Sequence, residues 1–177
     1  MLSCRSVCAG LLALLPMIAG CTVEPLNAAR SNSALVSGNV AAGVSDILKA
    51  TDVDPVNDRT AQQVRNRLLF AMNGGELQEG GQYRVALDVR TFTRTLSIES
   101  NSLAPTSAQV SVRASYELVD KSNGQVVAFG RRQSLAAYDR TPQSLSNKRA
   151  QRDAQNRAAQ EIAELLRLAI AQDIAQL

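Results

Sequence analysis

Residues 109–124 read QVSVRASYELVDKSNG. Val110, Val112, Ala114, Tyr116 and Leu118 alternate with Gln109, Ser111, Arg113, Ser115 and Glu117. A period of two makes a strand with one apolar and one polar face. Asp120-Lys121-Ser122-Asn123-Gly124 then punctuates a hairpin, since Asn-Gly accepts the positive φ of a tight turn. Gln125 to about Tyr138 is the returning strand. On the other side, after Gly80-Gly81, Tyr83, Val85, Leu87 and Val89 alternate with Arg84, Ala86, Asp88 and Arg90. From Phe92 the apolar positions become even: Phe92, Leu96, Ile98. A strict strand cannot change face, so a bulge or bend near Arg90-Thr91 is expected. Asn101 to Ser107, which contains Pro105, reads as a loop.

Helical spacing flanks these strands. Asn57 or Asp58 offers an N-cap, Ala61, Val64, Leu68 and Met72 follow at three- and four-residue intervals, and Asn73-Gly74-Gly75 supplies the stop. After a turn at residues 141–147 a long helix runs from about Leu145 to Ala175. Its buried stripe is Ala150, Ala154, Ala158, Ile162, Leu165, Leu166, Ala169 and Ile170. Ser45 to Val53, ending at Asp54-Pro55, reads as a short first strand. The expected fold is α+β: a two-layer sandwich, two helices on one face of a roughly four-stranded, mostly antiparallel sheet. The opposite face is polar, carrying Arg84, Arg113 and either Arg131 or Arg132.

The N-terminal stretch differs in kind. MLSCRSVCAG LLALLPMIAG C holds one basic residue, Arg5, and an apolar centre too short for a transmembrane helix. Such a pattern describes a secretory signal peptide, and Ile18-Ala19-Gly20-Cys21 resembles the bacterial lipobox. Residues 1–20 are expected to be a lipoprotein signal, Cys21 the lipid anchor, 21–44 an acylated tether and 45–177 a single domain. Acyl chains on Cys21 (palmitate among them) would tether the protein rather than span the bilayer. Thr22 stands where inner-membrane lipoproteins carry Asp, so the expected location is the periplasmic side of the outer membrane.

Composition narrows the chemistry. The 177 residues include no His and no Trp, and all three Cys fall within the first 21 positions. The rest of the chain therefore lacks the commonest metal ligand and general base, and any thiol nucleophile. No Gly-x-Ser-x-Gly elbow or phosphate loop is present. The carboxylate pairs Asp52/Asp54 and Glu161/Glu164 read as capping or solvated groups. Catalytic residues, metal and cofactor are all expected to be none. Charge is uneven: residues 84–157 hold 12 basic and 6 acidic side chains, and from Cys21 onward 15 of the 18 basic residues are Arg. Arg suits phosphate and carboxylate. Nucleic acid is excluded as a partner by the export signal and the lack of an aromatic stacking platform.

In order along the chain, Gly20-Cys21-Thr22-Val23-Glu24-Pro25-Leu26, Val64-Arg65-Asn66-Arg67-Leu68 with Phe70, Asn73 and Gly74, and the hairpin from Ala114 to Val127 resemble LptE-type lipoproteins, especially those of alphaproteobacteria. So do Ala137-Tyr138-Asp139-Arg140, Ala150-Gln151-Arg152-Asp153-Ala154 and Arg157-Ala158-Ala159. The resemblance implies two helices on a four-stranded sheet. It also implies a non-enzymatic outer-membrane subunit that plugs the LptD β-barrel, assists its assembly and contacts lipopolysaccharide. No ligand-contacting position transfers residue by residue. Arg90, Arg94, Arg131 and Arg132 are the candidates, from charge and position. Two alternatives stay open: an accessory lipoprotein of another envelope transporter or of barrel assembly without glycolipid binding, and a lipid-anchored cell-wall hydrolase using a carboxylate pair.

Overall fold

A computed structural model describes residues 38–75, 80–98 and 105–177. The signal segment, Cys21 and the tether as far as residue 37 lie outside the described residues. Three helices and four strands follow in the order α1 (Gly38–Lys49), β1 (Asp52–Val53), α2 (Arg59–Asn73), β2 (Tyr83–Ile98), β3 (Pro105–Asp120), β4 (Val126–Asp139) and α3 (Ser144–Ile174). The sheet order is β1-β2-β3-β4, with β1 parallel to β2 and the other pairings antiparallel. The α+β expectation holds, with α1 as an added helix.

The β3–β4 hairpin forms as its alternation requires. Val110, Val112, Ala114, Tyr116 and Leu118 are all buried, and Gly124 takes φ +73° at the turn. Helix α2 begins at Asp58, whose carboxylate accepts from the amides of Thr60 (2.9 Å) and Ala61 (3.3 Å). It ends at Gly74, φ +72°. Val64, Leu68 and Met72 bury toward the sheet, each such side chain contributing about 1.5–3 kcal/mol. In α3 the alanines Ala154, Ala158, Ala159 and Ala163 are buried, so the helix lies close against β3 and β4, and Ile162, Leu166 and Ile170 fill the rest. Arg59 reaches Gln155 and Asn156 while Arg67 reaches Glu164, so α2 and α3 run in the same direction. Tyr138 sits opposite Ala108 and packs against the core.

Three expectations need correction. Residues 45–49 are helical, not strand, because Val44 and Leu48 are one helical turn apart and both enter the core. Thr51 ends that helix, its hydroxyl donating to the carbonyl of Ile47 at 2.7 Å, and only Asp52–Val53 remain as strand. Residues 38–44 are accordingly part of α1 rather than tether. The bulge expected near Arg90-Thr91 is absent: β2 and β3 pair without a slip from Tyr83/Asp120 to Thr95/Ala108, and the irregularities come after Thr95. Phe92 therefore stays on the face opposite Val85, exposed. Lastly, Pro105 to Ser107 belong to β3 rather than to a loop, with Ser107 paired to both Ser97 and Asp139.

Candidate ligand-binding face of the sheet

Among the described residues the helices pack on one face of the sheet, which the buried alternating residues define. The other face is left open by these residues, and its register places side chains in rows across β2, β3 and β4. Asp88, Ser115 and Arg131 form one row; Arg90, Arg113 and Gln133 the next; Phe92, Ser111 and Leu135 a third; Arg94, Gln109 and Ala137 a fourth. The alternation of each strand fixes these identities, because the apolar partners point to the helices.

Arg90 and Arg113 stand directly opposite one another, an arrangement that like charges disfavour. Neighbours hold them apart. Arg90 Nε donates to Asp88 at 3.0 Å, while Arg113 Nε donates to Gln133 at 3.1 Å and its guanidinium lies 5.4 Å from the Phe92 ring centroid. Arg131 Nε donates to the Ser115 hydroxyl at 3.4 Å, and Arg94 donates to Gln109 Oε1 at 3.2 Å. Among the described residues only Arg90 of these four cations has a carboxylate partner. Asp88, Arg90, Phe92, Arg113, Ser115 and Arg131 line a shallow depression of about 300 Å³. It adjoins a second, of about 180 Å³, bounded by Arg94, Gln109, Ser111, Gln133 and Leu135 and sharing Phe92 and Arg113 with the first. Phe92 and Leu135 are each half exposed, and the hydroxyl of Ser111 between them is buried without a hydrogen-bond partner.

Of the four candidate residues, Arg90 and Arg131 thus share one depression and Arg94 borders the next. Arg132 does not join them. It sits opposite Ala114, on the helix-covered face, and its guanidinium donates to the carbonyl of Arg131 at 2.8 Å. Arg113, absent from the candidate set, lines both depressions, on the polar face where its alternation already placed it. Phe92 and Leu135 were legible only once the register of three strands was known.

The carboxylate pairs are engaged elsewhere. Asp52 pairs with Lys121 and Asp54 with Arg84 at 2.7 Å. Glu161 accepts from the Ser134 hydroxyl at 2.8 Å, and Glu164 pairs with Arg67 at 3.0 Å and Arg167 at 3.4 Å. Each holds one element to another instead of facing its mate across a cleft. Among the described residues no cluster of His, Cys, Asp or Glu could hold a metal, and no helix is long and apolar enough to cross a membrane.

Comparison with known proteins bears on this arrangement. The model of the LptE family, described as lipopolysaccharide-assembly, matches residues 48–170. No curated protein matches the chain. Among solved structures, a lipoprotein of Caulobacter crescentus CB15 is 24% identical with a TM-score of 0.62, the alignment covering 76% of this chain and 97% of that one. Rare lipoprotein B of Shewanella oneidensis is 13% identical, TM-score 0.51, covering 72% and 92%. A minor lipoprotein of Acinetobacter baumannii is 12% identical, TM-score 0.50, covering 70% and 90%. At these identities the structures share the fold.

Proposed function

The chain belongs to the LptE family of lipopolysaccharide-assembly proteins, and from that premise we propose that it is a non-enzymatic lipoprotein of the outer membrane. In this reading Cys21 carries the lipid and holds the protein on the periplasmic side. The folded domain, residues 45–177 together with the preceding turns of α1, is the working part. It occupies the lumen of an LptD-type β-barrel, assists the assembly of that barrel, and contacts lipopolysaccharide on the open face of its sheet.

The observation that carries the ligand contact is the placement of Arg90, Arg113 and Arg131 around one depression. Three guanidiniums with a single carboxylate among them attract a group bearing several negative charges. The planar forks suit phosphate oxygens, to which charge-assisted hydrogen bonds are short and strong. The phosphates and acidic sugars of lipopolysaccharide supply such a ligand. Arg94 extends the same cationic surface. Arg132, on the other side of the strand, serves structure rather than ligand.

Two measurements test this reading. A C-terminally tagged chain purified from native outer membrane should bring down a large β-barrel in stoichiometric amount; a lone lipoprotein would refute the assembly role. Purified lipopolysaccharide should bind the chain, and charge reversal at Arg113 and Arg131 should weaken that binding by at least about tenfold, the equivalent of roughly 1.4 kcal/mol. Unaltered binding in the reversed variant would leave an accessory role without glycolipid contact.

A further inference from the structure

The cationic depression does not stand alone on the open face. Immediately beside it, one residue pair further along β2 and β3, the row Phe92–Ser111–Leu135 crosses three strands and presents two half-exposed apolar side chains. The two depressions share Phe92 and Arg113, so they form one continuous groove in which the apolar row lies between the Arg90–Arg113–Arg131 cluster and the single cation Arg94. Large apolar side chains at the middle of a solvent-facing sheet are unfavourable unless something covers them, and the polar alternatives cost nothing in strand propensity. The Ser111 hydroxyl lies beneath them, small enough to leave the floor of the row low.

We propose that the Phe92–Ser111–Leu135 row is an acyl-chain subsite, so that an anionic amphiphile lies along the sheet with its phosphorylated head on Arg90, Arg113 and Arg131 and its hydrocarbon over Phe92 and Leu135. The occupant follows from the adjacency. A purely anionic ligand would use the arginines and leave the apolar row bare; a purely apolar one would have to pass beside three guanidiniums. A molecule with both parts in contact matches the cationic cluster and the apolar row together. Three clustered guanidiniums on one side of the row, against the single Arg94 on the other, favour the head toward the turn at residues 121–125 and the chains toward the far end of β2. Arg113 marks the boundary, its guanidinium stacked on Phe92 and its edge open to the head.

This inference rests on the reading of the protein as a lipopolysaccharide-binding subunit, and the experiment separates the two. Binding of the intact chain is measured to purified lipopolysaccharide and to the same material with its acyl chains removed by alkaline hydrolysis. Leu135→Thr is the principal variant, because Leu135, unlike Phe92, has no guanidinium stacked on it and Thr keeps strand propensity; Phe92→Thr is the second. The expected result is about a tenfold loss of affinity for intact lipopolysaccharide in either variant. For the deacylated ligand Leu135→Thr should bind as the unsubstituted chain does, while Arg113→Gln weakens both ligands. Equal binding of intact and deacylated ligand by the unsubstituted chain, or an equal loss for both ligands in Leu135→Thr, would overturn the acyl subsite and leave the head-group reading standing. No binding of either ligand by the unsubstituted chain would overturn the parent reading and the subsite with it.

Discussion

At Tyr116 a phenol hydroxyl 2.6 Å from the Asp173 carboxylate ties the central strand to the last turns of α3. Burial, then the hydrogen bond to that carboxylate and its charge, push the phenol well above its ordinary value, with Arg132 opposing. Because the folded phenol titrates higher than the unfolded one, its stabilising effect is complete below about pH 10 and is lost as pH rises through the folded value. Tyr116→Phe should cost about 1.5 kcal/mol at neutral pH, from the lost bond and the stranded carboxylate. Chemical denaturation should also show a shallower alkaline loss of stability in the variant than in the parent chain. The neighbour of this ring is Gly130, where a Cβ would fall 2.7 Å from the Tyr116 ring. Gly130→Ala should therefore lower the denaturation midpoint, by the equivalent of about 1–3 kcal/mol, since the buried ring must shift.

The elements were readable in proportion to how regular their patterns are. Asp58, Gly74 and the stripe from Ala61 to Met72 specify α2 locally, and the alternation from Gln109 to Leu118 specifies β3. Asp58→Ala should cost about 1 kcal/mol, read from thermal unfolding, by removing the acceptor for two amides at the start of α2. Ala158→Leu should cost more, about 1–3 kcal/mol by the same measurement, because α3 lies too close to the sheet at that point to admit the added volume. Helix α1 was not legible: Gly38, Gly43 and Val40 are poor helix formers, and its apolar signal is little more than Val44, Ile47 and Leu48. The supposed change of face in β2 failed for a different reason. Periodicity assumes that apolar side chains seek the core, and Phe92 instead faces outward. The candidate site was half legible. Charge marked Arg90, Arg94 and Arg131 and alternation put Arg113 on the polar face, but only cross-strand register groups them and sets Arg132 on the other side. Several arginines are absorbed by main-chain carbonyls of the outermost strands: Arg65 at Val53 and Asp54 beside β1, Arg132 at Arg131 and Arg157 at Ala137 on β4. Charged side chains there discourage pairing with a further strand, a use that composition alone cannot distinguish from ligand binding.

For the molecule as a whole, the segregation of an aliphatic helix layer from a cationic open face makes binding electrolyte-dependent. Lipopolysaccharide affinity should fall as sodium chloride is raised from about 50 mM to 500 mM, since exposed charges are screened over a few ångströms at the higher value. The apolar row should contribute affinity that salt does not remove, so Leu135→Thr should lower affinity at every salt concentration and leave the slope unchanged, while Arg113→Gln should flatten it. A titration calorimeter or a fluorescence competition assay reads both slopes. The 31 residues of α3 have a further consequence. At 1.5 Å per residue the helix is about 46 Å long, whereas the lipid-facing band of an outer-membrane barrel is only about 25 Å tall. A helix of this length seated along the axis of such a barrel would extend beyond that band, and cysteines substituted at Leu145 and Gln176, near the two ends, should not both be shielded from a water-soluble maleimide in the assembled complex. On the barrel seating proposed above, the part of α3 outside the band would be a rigid projection, a surface that another envelope protein could reach.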